Sequence, residues 1–154
     1  MEMNMITKQV LFQIGEEIYG LNIMEVSTVE KYIPTEKAAN APGNVKGIIR
    51  LRGEVIPVYS LRSKFGLEDR EPDQDTRLII TKSNGMTVAY EVDKMLEIRN
   101  IEEEELYQVP PIAVSKNTTY LKEITNDDGR LILLLNHDGI LSDKEQEGIR
   151  KILQ

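Results

Sequence analysis

The sequence predicts an all-β protein built from two tandem copies of one five-stranded, barrel-like unit and closed by a short C-terminal helix. Three observations carry this prediction. Short apolar runs rich in Val, Ile and Tyr recur along the chain, separated by turn signals containing Gly, Pro, Asn and Asp. The order of runs in the first half returns in the second. Only the last dozen residues combine a helix start signal with one apolar face.

Lys8 to Ile14 reads as a strand, Gly15-Glu16-Glu17 as a turn and Ile18 to Ile23 as the returning strand of a hairpin. Val26 to Tyr32 is a third, β-branched strand, followed by a long connection marked by Pro34, Ala41, Pro42 and Gly43 that ends near Asn44. Val45 to Leu61 holds two strands about a tight Arg52-Gly53-Glu54 turn, where glycine supplies a positive φ; Pro57, lacking an N–H, is expected at a sheet edge. Ser60 to Phe65 suits a capped helical turn, and the charged stretch Leu67 to Asp75 is the candidate boundary between units.

Beyond it, Thr76 to Thr81 and Met86 to Val92 flank Ser83-Asn84-Gly85, a two-residue hairpin signal, and Met95 to Ile101 is a further strand. Glu102 to Glu105 and Pro110-Pro111 form a loop, and Tyr120 to Thr125 pairs with Leu131 to Leu135 about Asn126-Asp127-Asp128-Gly129. Ser142 with Glu145 three residues later is a capping box, and Ile149, Ile152 and Leu153 share one helix face.

The halves can be laid in register. Val10, Leu11 and Phe12 fall on Leu78, Ile79 and Ile80 at an offset of 68, and Leu21, Ile23, Val26 and Val29 fall on Tyr90, Val92, Met95 and Ile98 at 69. One extra residue in the second hairpin turn is the expected cause of the step. Val45, Ile48, Gly53, Val55, Ile56 and Val58 then fall on Leu121, Ile124, Gly129, Leu131, Ile132 and Leu134 at 76. Units of about five short strands in some 60 residues hide their edges by closing into small barrels. The expected bounds are residues 8–66 and 76–141 for the two units and 142–153 for the helix.

Composition narrows the function. The chain has 154 residues, enough for a core without staples, and no cysteine, which removes disulfides, thiolate catalysis and Cys-ligated metals and suits a reducing compartment. A net charge of −7 argues against nucleic acid, and with no Trp and no basic groove the aromatics are not arranged to stack bases. No signal peptide pattern is present, no apolar run approaches the roughly 18 residues that span a bilayer, and neither Glu2 nor Gln154 fits a lipidation pattern, so no direct membrane insertion is expected.

Catalytic groups do not converge. His137 is the single histidine and, beside Asp138-Gly139, reads as a turn residue; Glu102 to Glu105 read as a solvated face. No ligand spacing for zinc or calcium occurs, and Gly43, Gly47 and Gly53 form no phosphate cradle, so neither metal nor cofactor is expected. The chain reads as a docking module, not an enzyme.

The segment Gly47 to Arg62, GIIRLRGEVIPVYSLR, resembles the signature of the CheW family of bacterial chemotaxis adaptors, matching at Leu51, Arg52, Gly53, Pro57, Val58, Leu61 and Arg62. It departs at Arg50, where the family has Asn, and at Ser60, where it has Asp. Similarity extends to Glu16–Tyr32, Ala41–Gly47 and Gly129–Glu145. The resemblance implies two intertwined five-stranded SH3-like barrels, no catalysis, and a cytoplasmic scaffold that couples the regulatory domain of the histidine kinase CheA to the cytoplasmic tips of membrane chemoreceptors, at whose clusters it gathers.

It also implies residues. Arg52 and Gly53 are the signature turn, with Arg52 either a contact to partners or an internal brace. Val26, Thr28 and Ile98 match positions lining a receptor-facing groove, with core packing the alternative for some of them. Asn44 and Gly47 resemble kinase-contacting loop positions. A related module, from a receiver-coupled adaptor or from the kinase itself, is the alternative to a stand-alone adaptor; the initial Met and the final helix leave no room for a receiver or ATPase domain and favour the latter.

Overall fold

The computed structural model describes residues 5–83, 85–109 and 119–153. The hairpin tip Asn84 and the expected loop at Pro110-Pro111 lie outside the described residues.

Each turn signal bounds the strands expected on either side of it. The first hairpin is β1 (Ile6–Ile14) and β2 (Glu17–Asn22), followed by β3 (Val26–Lys31), β4 (Val45–Leu51), β5 (Glu54–Ser60) and a single helical turn, α1 (Leu61–Lys64). Ser60 caps that turn, its Oγ accepting from the Ser63 N–H. The second half gives β6 (Arg77–Ser83), β7 (Met86–Val92), β8 (Lys94–Glu102), β9 (Tyr107–Gln108), β10 (Leu121–Asp127) and β11 (Arg130–Leu135), then α2 (Asp143–Ile152) behind the capping box of Ser142 and Glu145. The two-residue β9 has no counterpart in the sequence reading.

The strands form two mixed sheets, ordered β8-β1-β2-β11-β10-β9 and β3-β6-β7-β5-β4. Substituting each strand by its repeat partner converts the first five positions of one order into the other. Registers agree as well: Leu134 opposite Gly20 in the parallel β11–β2 pair matches Val58 opposite Ala89 in β5–β7. The irregularity between Val45 and Gly47 recurs between Leu121 and Glu123.

Two expectations are corrected. The halves 8–66 and 76–141 are not the two sheets, because each half lends its first hairpin to the other: β1 and β2 join β8, β10 and β11, while β6 and β7 join β3, β4 and β5. The charged stretch 67–75 therefore connects strands of one sheet. The chain changes sheets between β2 and β3 and between β7 and β8, through short segments that contain neither Gly nor Pro. Second, the first strand repeats at 69 rather than 68. Val10 pairs with Leu21 and Ile98, and Ile79, not Leu78, pairs with the equivalent Tyr90 and Val29. A slip of one residue would turn every side chain to the opposite face.

Pro57 also departs from its expected edge. β5 lies between β7 and β4, but its pairing with β7 covers only Val58–Ser60, so the missing N–H falls just outside that ladder.

Each sheet curls around its own apolar cluster, Leu11, Ile18, Ile101, Ile132 and Leu134 in one and Ile49, Ile56, Val58, Leu78, Ile80 and Ala89 in the other. A larger cluster joins them, with Phe12, Ile14 and Leu21 from one sheet against Tyr59, Ile79 and Tyr90 from the other. Alternation explains the division, since neighbouring residues such as Leu11 and Phe12 face opposite sides of their strand.

Candidate docking groove and signature turn

β3 and β8, equivalent in the repeat, are each an edge strand of their sheet and border an open groove. Val26, Thr28 and Val29 line one side and Met95, Glu97 and Ile98 the other. Val29 is 41 % and Ile98 60 % exposed, and Met24, at the crossing into β3, is 87 % exposed beside an adjoining depression. Val26 and Met95 are partly buried and rest on the shared core, so the groove floor is packed from below while its rim is open. Long apolar edges favour unwanted association, and a contiguous exposed apolar strip on a soluble domain marks an interaction surface.

The signature turn is tied to β3, one strand of this groove, by an ion pair. Leu51 pairs with Glu54, leaving Arg52 at φ +49° and Gly53 at φ +81° in a two-residue turn of left-handed conformations. Nothing would obstruct a Cβ on Gly53, so its dihedral angle rather than space calls for glycine. Arg52 Nη1 reaches Glu30 Oε1 of β3 at 3.0 Å, yet the guanidinium side chain stays 70 % exposed. The other signature arginine behaves differently. Arg62 donates to Asp93 at 2.6 Å and, through Nε, to the Glu68 carbonyl at 2.8 Å, and Asp93 also accepts from the Gly15 N–H. Arg62 thus locks α1 and the charged linker to the point where the chain changes sheets.

Val26, Thr28 and Ile98 are brought together in the groove, whereas Arg52 reaches β3 at Glu30 and does not line it. Asn44 and Gly47 are elsewhere, against the C-terminal helix and the connection preceding β4. Asn44 gives both its backbone N–H and its Nδ2 to Glu145 Oε2 at 3.1 Å and accepts from the Ser63 hydroxyl. Gly47 packs under the Glu36 carbonyl. Both have evident structural work. Val29, Met95 and Glu97 were missed as site residues, although the repeat register already set Val26 beside Met95 and Val29 beside Ile98; nothing in the sequence singled out Met24.

Glu145 is the centre of the C-terminal attachment. Its second oxygen accepts from the Tyr59 hydroxyl at 2.9 Å and from the Ser142 N–H at 3.0 Å. Burial opposes its charge, but the donors from Ser142, Asn44 and Tyr59 outweigh it and hold the carboxyl below its ordinary range. Burial and the same carboxylate push the Tyr59 phenol up.

His137 is a turn residue as expected, but not a solvated one. It is buried, with Nε2 2.9 Å from Thr81 Oγ1 and its ring edge-on to Tyr90 across the sheets. Burial holds its pKa below the ordinary value, partly opposed by Asp138. Glu103, Glu104 and Glu105 form an exposed turn.

The CheW-like domain family matches residues 8–145. The chain belongs to the CheW family. Among its relatives, the chemotaxis protein CheW of Helicobacter pylori is 31% identical over 130 residues, 84% of this chain and 78% of that one. The chemotaxis protein CheW of Klebsiella aerogenes is 29% identical over 135 residues, 88% of this chain and 81% of that one. The crystal structure of a scaffolding CheW protein from Thermoanaerobacter tengcongensis superposes with a TM-score of 0.77 at 34% identity, covering 86% of this chain and 90% of that one. The resemblance read from the signature turn is thereby established as family membership, and the two-sheet architecture with a short C-terminal helix is the CheW fold.

Proposed function

We propose that this CheW-family protein is a non-catalytic adaptor that holds the regulatory domain of the kinase CheA at the cytoplasmic tips of chemoreceptors. The apolar groove between β3 and β8 carries this reading. Its two edges present Val29 and Ile98 to solvent above a floor packed on the core, the arrangement that receives the apolar face of a helix. The receptor's helical hairpin lies there, and the kinase domain docks elsewhere on the same double barrel, so that binding both partners raises the effective concentration of one at the other. The protein works in the cytoplasm and reaches the membrane only through the receptor.

Size-exclusion chromatography with light scattering tests the proposal. Separate mixtures with a CheA regulatory domain and with a receptor-tip fragment should each give a co-eluting complex; free elution from both at high micromolar concentration would remove it. Ile98→Glu tests the groove. Because Ile98 is exposed, its melting temperature should stay close to that of the unsubstituted protein, while receptor-fragment affinity falls at least about tenfold and kinase-domain binding is spared. Equal loss of both partners would place the receptor elsewhere.

Arg52 is assigned to assembly. Its ion pair with Glu30 leaves the guanidinium largely in solvent and is worth only about 0.5 kcal/mol. Arg52→Ala should therefore leave the circular-dichroism melt nearly unchanged and weaken pull-down of kinase or receptor. A melt lowered by several degrees with binding retained would instead identify an internal brace.

A further inference from the structure

The two sides of the groove are copies of one another. Val26, Thr28 and Val29 on β3 stand where Met95, Glu97 and Ile98 stand on β8, each 69 positions later. Reciprocal exchange of hairpins between two equal motifs relates them by an approximate twofold rotation. Since equivalent strands face each other across the groove, that axis passes through it. Such a groove, lined by apolar side chains, makes similar contacts with a helix lying in one direction and with the same helix turned end for end. Direction must come from positions where the copies differ in charge.

Among the described residues lining the groove, Glu97 alone is charged; its counterpart is Thr28. The next pair inverts outright. Glu30, neutralised by Arg52 at 3.0 Å, is replaced by Arg99, which faces both Glu97 at 2.5 Å and Asp127 at 2.9 Å. The β3 end is thus a neutral pair, while the β8 end has one cation between two carboxylates and a net negative charge. A helix carries the equivalent of positive charge at its N-terminus, which the β8 end favours.

We propose that Glu97 sets the direction in which a helical partner lies in the groove, drawing the partner's N-terminal end or a basic side chain near it to the β8 end. The inference rests on the groove reading above. It makes Glu97 a specificity residue, and its energetic effect is confined to choosing between two orientations.

The test uses the full chain with selectively labelled methyl groups and a receptor-tip helical hairpin carrying a nitroxide at the N-terminal end of the groove-contacting helix. In the unsubstituted protein the label should broaden the Ile98 methyl signals more than those of Val29, with orientations populated about three to five to one, as one exposed charge contact allows. Exchanging the pair, Thr28→Glu with Glu97→Thr, keeps the composition and net charge, alters only exposed side chains, and should reverse the pattern. Glu97→Gln should bring the two signals towards parity. Persistent broadening at Ile98 in the exchanged protein, or an undiminished bias in Glu97→Gln, would overturn the proposal while leaving the groove reading intact. Failure of the unsubstituted protein to bind the hairpin would remove the groove reading and this inference together.

Discussion

Glu145→Ala is expected to cost the fold about 3 kcal/mol, visible as a lower denaturation midpoint. The side chain is only 5 % exposed, and its two oxygens satisfy the Asn44 N–H, the Asn44 side-chain amide, the Tyr59 hydroxyl and the Ser142 N–H. Alanine leaves these donors without their acceptor and opens the capping box of α2. The loss also propagates between sheets, because α2 follows β11 of one sheet whereas Asn44 and Tyr59 flank and belong to the β4–β5 hairpin of the other. In Glu145→Gln the volume is kept and one acceptor remains, so a smaller loss is expected. The pH dependence gives an independent check. A folded carboxyl held below its ordinary value contributes stability that is complete above the unfolded pKa near 4.5 and is lost as pH falls through the folded value. The difference in stability between the unsubstituted protein and Glu145→Gln should thus be constant near neutrality and shrink below about pH 4.5. His137, whose folded pKa is also lowered, contributes a decline that starts nearer 6.5 and is common to both proteins, so it cancels. A difference independent of pH would show that the carboxylate's charge is not what holds the helix.

The sequence announced individual strands better than their partnership. Gly15, Gly53, Gly85 and Gly129 mark hairpin turns because each adopts a positive φ, a local requirement that leaves a local trace. The exchange of hairpins leaves none. It is decided at Asn22–Val26 and Val92–Lys94, whose residues are ordinary for strand ends, and the conspicuous charged stretch at 67–75 joins strands of one sheet. Three-dimensional pairing also corrected the repeat, since apolar residues on both faces of a buried strand, as at Leu78, Ile79 and Ile80, let a register slip by one without penalty in the sequence. For the groove, the repeat was the informative signal: it predicted that Val26 and Val29 have equivalents at Met95 and Ile98, and the structure sets those equivalents face to face. Asn44 and Gly47 show the converse. A loop asparagine and a strand glycine next to a signature read as contacts, whereas their partners Glu145 and Glu36 are supplied by segments whose approach only the folded chain reveals.

Gly47→Ala separates those two roles. A Cβ at Gly47 would stand 2.0 Å from the backbone oxygen of Glu36 and 2.9 Å from the Thr35 side chain. That carbonyl cannot simply tilt away: it accepts from the Ile48 N–H at 2.8 Å while the Glu36 N–H gives to the Ile48 carbonyl at 2.8 Å, a bridge that covers this edge of β4. Relief requires the segment to lift and both hydrogen bonds to lengthen or break, for a loss of about 2–4 kcal/mol in chemical denaturation. Two controls fix the cause. Gly53→Ala meets no atom and pays only for a positive φ, about 1 kcal/mol. Glu123, the repeat equivalent of Gly47, already carries a side chain opposite Gln108 in β9, so Glu123→Ala should change stability by no more than about 0.5 kcal/mol. A cost for Gly47→Ala well above that of Gly53→Ala assigns the glycine to close approach within the fold. A cost no larger, with kinase binding lost, would mean that the Glu36 segment yields easily and that the glycine is kept bare for a partner.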